Sequence, residues 1–107
     1  AGGDPVQMAA KYAARIAHVH CKDVRKSVLE RSRNRDQSFL NSVLDGVFTV
    51  PGDGMVSYRR VLEPIAKSGY SGWLVVEAEQ DPAVAIPHVY AKLGFDHLAP
   101  LARELFA

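Results

Sequence analysis

Cysteine is almost missing from this chain: Cys21 is the only one among 107 residues. A single thiol cannot form an intrachain disulfide, so a disulfide-stapled scaffold is excluded and a reducing, cytoplasmic setting is the expectation. No apolar run approaches the roughly 20 residues that a membrane-spanning helix needs. The opening Ala1-Gly2-Gly3-Asp4-Pro5 has neither the charged nor the apolar region of a signal peptide. A membrane partner is therefore not expected. An excess of one charge is also lacking, because 13 Lys and Arg face 12 Asp and Glu for a formal net charge of +1. That balance gives no broad field for nucleic acid, although Arg25, Lys26, Arg31, Arg33 and Arg35 form a local basic run interrupted by Glu30 and Asp36. A solvated helix face is its simplest reading. There is no glycine-rich phosphate loop, nucleophile elbow or CxxC pair. The first residue is not Met, which leads to the expectation of a segment cut from something longer.

What is present is an ordinary globular composition, 48% hydrophobic and 23% charged, so the chain should fold or dock as one unit, 1–107. Asp4 and Pro5 suit the N-cap and first position of a helix running to about Arg15, with Val6, Ala9, Ala10, Ala13 and Ala14 at helical spacing. Ile16 to Cys21 reads as a short buried strand. Phe39, Leu40, Val43, Leu44 and Val47 predict an amphipathic helix closing at Gly46. Pro51-Gly52-Asp53-Gly54 is turn chemistry that divides the chain in two. Beyond it, Tyr58, Val61, Leu62, Ile65 and Ala66 line one helical face, capped by Ser57, kinked at Pro64 and released at Gly69. Gly72 to Glu77 reads as a second buried strand, and a terminal helical region split at Gly94 and Pro100 follows Pro87. Helices alternating with strands are βα-unit logic, and the fold class is α/β. Two strands do not make a barrel; a closed eight-stranded one takes about 250 residues, so this chain would supply roughly the last quarter to third of one. The alternative is a self-contained α/β piece that completes its sheet by forming a homo-oligomer.

Chemistry concentrates at the two strand ends. A side-chain period of two puts His18 and His20 on one strand face. A strand that presents paired imidazoles and then runs into Lys22-Asp23 resembles the mouth of a parallel barrel, which points to a divalent-metal sugar enzyme. His20 is the leading metal ligand, with Glu77 at the other strand end as its partner; a mixed nitrogen and oxygen set suits Mn or Co at least as well as Zn. The same spacing also suits two hydrogen-bonded core histidines. His18, one layer deeper, is suited to orienting that ligand or meeting substrate. Lys22 and Asp23 are suited to contacting substrate hydroxyls or moving protons, and an exposed ion pair explains them equally well. Glu79 shares the face of Glu77 if the strand extends that far. Asp53 sits in a turn able to close over a small polyol, and Asp is also a favoured turn residue.

Three stretches together carry a resemblance: His18-Val19-His20-Cys21-Lys22-Asp23-Val24, then Gly46 to Gly54, then Gly69-Tyr70-Ser71-Gly72-Trp73-Leu74-Val75-Val76-Glu77-Ala78-Glu79-Gln80-Asp81-Pro82. They closely resemble the C-terminal part of the inosose dehydratase family, within the xylose isomerase-like barrel superfamily. The resemblance implies the C-terminal portion of a (β/α)8 TIM barrel. It implies that His20 and Glu77 are the metal ligands of the seventh and eighth strands, and that two further ligands on earlier strands have no counterpart here. It further implies dehydration of 2-keto-myo-inositol in inositol catabolism with Mn or Co, and an association with glutathione. An isomerase or epimerase of the same superfamily and a non-catalytic assembly module are the other readings. The isolated chain is expected to be inactive and to associate with itself or with the missing barrel segment.

Overall fold

Asp4 starts the first helix by accepting hydrogen bonds from the backbone N–H of Val6 (2.8 Å) and Gln7 (3.1 Å), with Pro5 at the first helical position. In the computed structural model, which describes residues 2–107, helix α1 spans Pro5–Tyr12 and tightens into a 3-10 turn over Ala13–Arg15. Strand β1 is Val19–Cys21 and pairs in parallel with β4, Leu74–Val76. Both strands are shorter than the hydrophobic pattern suggested. The register sets Val19 against Leu74, His20 against Val75 and Cys21 against Val76, and the Glu77 N–H extends it by donating to the Cys21 carbonyl.

A second ribbon was not foreseen. β2, Asp23–Val24, pairs antiparallel with β3, Phe48–Thr49, so the stretch before the Pro51 turn is partly strand. Between them lie α2, Lys26–Asn34, and α3, Phe39–Leu44. Arg31 and Arg33 occupy the last turn of α2, where cations complement the helix dipole. Gly46 closes the α3 segment with a φ of 81°, a conformation that glycine adopts without steric cost.

Helix α4 spans Tyr58–Lys67 and buries Tyr58, Val61, Leu62 and Ile65. Ser57 precedes it but makes no side-chain capping bond, contrary to the sequence expectation. Helix α5, Pro87–Leu105, runs without a break through Gly94 and Pro100. Gly94 serves packing: a Cβ there would lie 2.7 Å from Val76 Cγ1 and 3.0 Å from Val50 Cβ, so the missing side chain lets α5 approach the sheet.

The core is Ala9, Cys21, Tyr58, Val61, Leu62, Ile65 and Leu98, with Val19, Leu74 and Val76 packed against it. Strand alternation therefore sends Val19, Cys21, Leu74 and Val76 towards the helices and turns His20 and Val75 to the opposite face. No helix is long and apolar enough to cross a membrane among the described residues.

Candidate metal centre and strand-end cluster

Two steps beyond Val75 lies Glu77, and two beyond His20 lies Lys22, so the period of two delivers all three side chains to the face away from the helices. His20 Nδ1 stands 2.8 Å from Glu77 Oε2, with the two side chains 56% and 37% exposed. Lys22 Nζ donates to Glu77 Oε1 at 2.9 Å and to Glu79 Oε2 at 2.9 Å. The His18 ring packs edge-on against His20 with centroids 5.1 Å apart. Four of the residues singled out from sequence, His20, Lys22, Glu77 and Glu79, thus form one cluster, and His18 borders it.

Electrostatics fix the charges. Partial burial by itself would lower the Lys22 pKa, but the hydrogen bonds it donates to Glu77 and Glu79 outweigh it and hold the ammonium above its usual range. Glu77 is held below the usual carboxylate range by its hydrogen bond from Lys22 first and by His20 second. The Lys22 ammonium also lies 5.0 Å from the centre of the Phe48 ring, a cation–π contact from the unforeseen ribbon. Below it, the Tyr58 hydroxyl donates to the Lys22 carbonyl at 2.8 Å, and burial pushes the phenol pKa up. Burial likewise pushes the Cys21 thiol up to about 11, in keeping with a small core residue.

Asp23 departs from the expectation that it meets substrate or moves protons. It is fully buried, and its Oδ1 accepts from the N–H of Val24 (2.7 Å) and Val56 (2.9 Å). Two backbone donors that β2 and the segment before α4 leave over are satisfied this way. Gly54 packs directly on the carboxylate, where a Cβ would collide with it. Asp53 lies outside the cluster as well: its Oδ2 accepts from Thr49 Oγ1 (2.6 Å) and Arg25 Nη2 (2.7 Å). Burial would raise its pKa, but Thr49 and Arg25 prevail and hold it below the usual range. Arg25 in turn donates to the Gly46 carbonyl at 2.8 Å. One guanidinium thereby ties the end of α3 to the Pro51 turn. Sequence reading counted Arg25 in a solvated basic run and Tyr58 in an apolar face. Arg25 and Asp53 stand 28 positions apart, and nothing local signals their pairing.

An imidazole and a carboxylate meeting on an exposed face are a donor set that suits two positions around a divalent ion. No group of three His, Cys, Asp or Glu side chains able to hold a metal forms among the described residues.

Comparison with known proteins gives these residues a context. The description "xylose isomerase-like TIM barrel" matches residues 1–101. A protein named rhizopine catabolism protein MocC, from Rhizobium meliloti, is 58% identical over 101 residues, covering 94% of this chain and 31% of that protein. A protein named inosose dehydratase from Geobacillus kaustophilus is 46% identical over 106 residues, covering 99% of this chain and 34% of that protein. Its namesake from Salmonella typhimurium is 50% identical over 102 residues, 95% of this chain and 34% of that one. The chain spans about a third of the length of these curated relatives. The sequence resemblance and the parallel strand pair joined through α4 agree with this result, and the chain belongs to the xylose isomerase-like TIM barrel family.

Proposed function

We propose that this chain is the C-terminal part of a longer (β/α)8 barrel, and that the longer protein is a metal-dependent carbon–oxygen lyase dehydrating 2-keto-myo-inositol (inosose). The observation that carries this reading is the meeting of His20 and Glu77 at the ends of adjacent parallel strands, beside Lys22 and Glu79. Barrel enzymes of this kind work at that end of their strands. The relatives named inosose dehydratase support the substrate class.

In this reading His20 and Glu77 hold a divalent ion, Mn or Co, together with ligands from the remainder of the longer protein. When bound, the ion supplies Lewis-acid polarisation of the substrate ketone. Glu79 takes the proton from the carbon beside the ketone and passes it to the departing β-hydroxyl, so that one water is lost with no net change at the carboxylate. Lys22 remains charged and orients substrate hydroxyls by donating to them. His18 meets the substrate from one layer deeper. Asp23 acts from inside, keeping the strand end in position, and Asp53 pins the turn that closes beside the substrate. The isolated chain, with two of the ligands, is inactive. Its open sheet edges take the rest of the barrel or a second copy, and neither nucleic acid nor a membrane is a proposed partner. The proposed location is the cytoplasm.

Incubating the longer protein with inosose and Mn or Co, followed by mass spectrometry, tests this. Loss of one water is the expected result; a product of unchanged mass would instead identify an isomerase or epimerase. Running the assay with and without glutathione tests that second cofactor. The 58% identity to a rhizopine catabolism protein favours a second substrate class, so rhizopine belongs in the same assay.

A further inference from the structure

Beside the strand-end cluster, and sharing Lys22 with it, lies a groove of about 620 Å3 between residues 2–5, the α2–α3 hairpin and the β2–β3 ribbon. Its volume falls in the range of small-molecule sites. Val47, Phe48, Phe39 and Met55 contribute to a wall that is mostly apolar, while Lys22 and Arg33 are its charged residues and no carboxylate lines it. The two cations differ. Lys22 is already engaged by Glu77 and Glu79, so what it brings to the groove is chiefly its aliphatic stem. Arg33 forms no ion pair among the described residues and stands at the mouth, 3.6 Å from the place a Cβ on Gly2 would take. The hydroxyls of Ser32 and Ser42, also in the lining, bond to each other, and Ser42 donates in addition to the Ser38 carbonyl. Their polarity is met internally, so the polar demand left over is that of a single guanidinium.

An apolar wall with one unmatched guanidinium selects against a polyol, whose hydroxyls would lose water without gaining partners. It suits a compact anion with an apolar body. We propose that this groove, which meets the strand-end cluster at Lys22, is a second ligand site for a small monocarboxylate bearing an aryl or alkyl body. The carboxylate pairs with Arg33 in the two-pronged geometry that guanidinium favours. The body lies against Phe39, Phe48 and the Lys22 stem. Phe39, 64% exposed, and Met55, 52% exposed, are parts of the wall that free protein leaves to water.

The test is titration of the 107-residue chain with 3-phenylpropionate, followed by NMR shifts of groove residues, with the neutral 3-phenylpropanol as the matched control. Arg33→Gln and Phe39→Ala are surface changes whose folding circular dichroism verifies. The expected result is saturable binding of the acid that weakens about tenfold for the alcohol and for Arg33→Gln, a factor equivalent to about 1.4 kcal/mol. Phe39→Ala should weaken both probes. Equal binding of acid and alcohol, or an unchanged affinity in Arg33→Gln, would overturn the proposal. So would absence of saturable binding, and a dimer that Phe39→Ala converts to monomer would then assign the groove to a second copy of the chain.

Discussion

His20 Nδ1 and Glu77 Oε2 approach to 2.8 Å across 57 residues of sequence, and the parallel register of β1 and β4 is what brings them together. Lys22 grips the other Glu77 oxygen, so the carboxylate is shared between an imidazole and an ammonium. That sharing holds the Glu77 carboxyl below its usual range, through Lys22 first and His20 second.

Replacing Lys22 with Met removes the largest influence holding the Glu77 pKa down. In metal-free Lys22→Met, the Glu77 carboxyl should titrate at higher pH than in the unmodified chain, and His20→Ala should move it less. Carbon-detected NMR titration reads both values. An unmoved Glu77 in the Lys22 variant would contradict the arrangement.

Asp53 sets a pH dependence at the acid end. Its carboxyl titrates lower in the folded chain than the usual value, so it binds fewer protons there than when unfolded. The stability it contributes is present above its unfolded pKa of about 3.9 and is lost as pH falls through its folded value. Asp53→Asn should therefore narrow the stability gap between neutral and acid pH. Denaturant midpoints measured across that range check the sign, and an Asn variant with an undiminished acid loss would argue against the Thr49 and Arg25 bracket.

Two packing positions carry a stability forecast. Gly94→Ala forces a methyl group against Val76 and Val50, which should cost about 1–3 kcal/mol as overpacking does. Asp23→Ala strips the Val24 and Val56 N–H groups of a buried acceptor and should cost about 2 kcal/mol or more, with water entry limiting the loss. Chemical denaturation of both variants measures this, and wild-type midpoints would refute the packing described.

Much of this arrangement was legible in the sequence. The Asp4-Pro5 cap, the apolar face of α4 and the paired strands carry local signals of period or capping, and local physics decides them. His20, Lys22, Glu77 and Glu79 converge because the period of two continues past each strand end. What stayed hidden was non-local. The β2–β3 ribbon has only two residues per strand, too few for alternation to register. Gly94 looked like a helix breaker because its purpose, contact with Val76 and Val50, lies in another element. Pro64 leaves α4 continuous over Tyr58–Lys67, with Val61, Leu62 and Ile65 in the core around it. Asp23 sits in a polar stretch that reads as a loop mouth, yet the backbone N–H of Val56, 33 residues away, draws its carboxylate inward.

In the proposed function His20 and Glu77 are two ligands of one divalent centre in a longer barrel. Metal analysis of the longer protein, purified after loading with Mn and exhaustive dialysis, tests it most directly, comparing the unmodified form with His20→Ala and Glu77→Ala. Bound Mn should fall about tenfold or more in each variant, the scale of loss expected when one ligand is removed from a small set. Unchanged Mn content in both folded variants would contradict the claim.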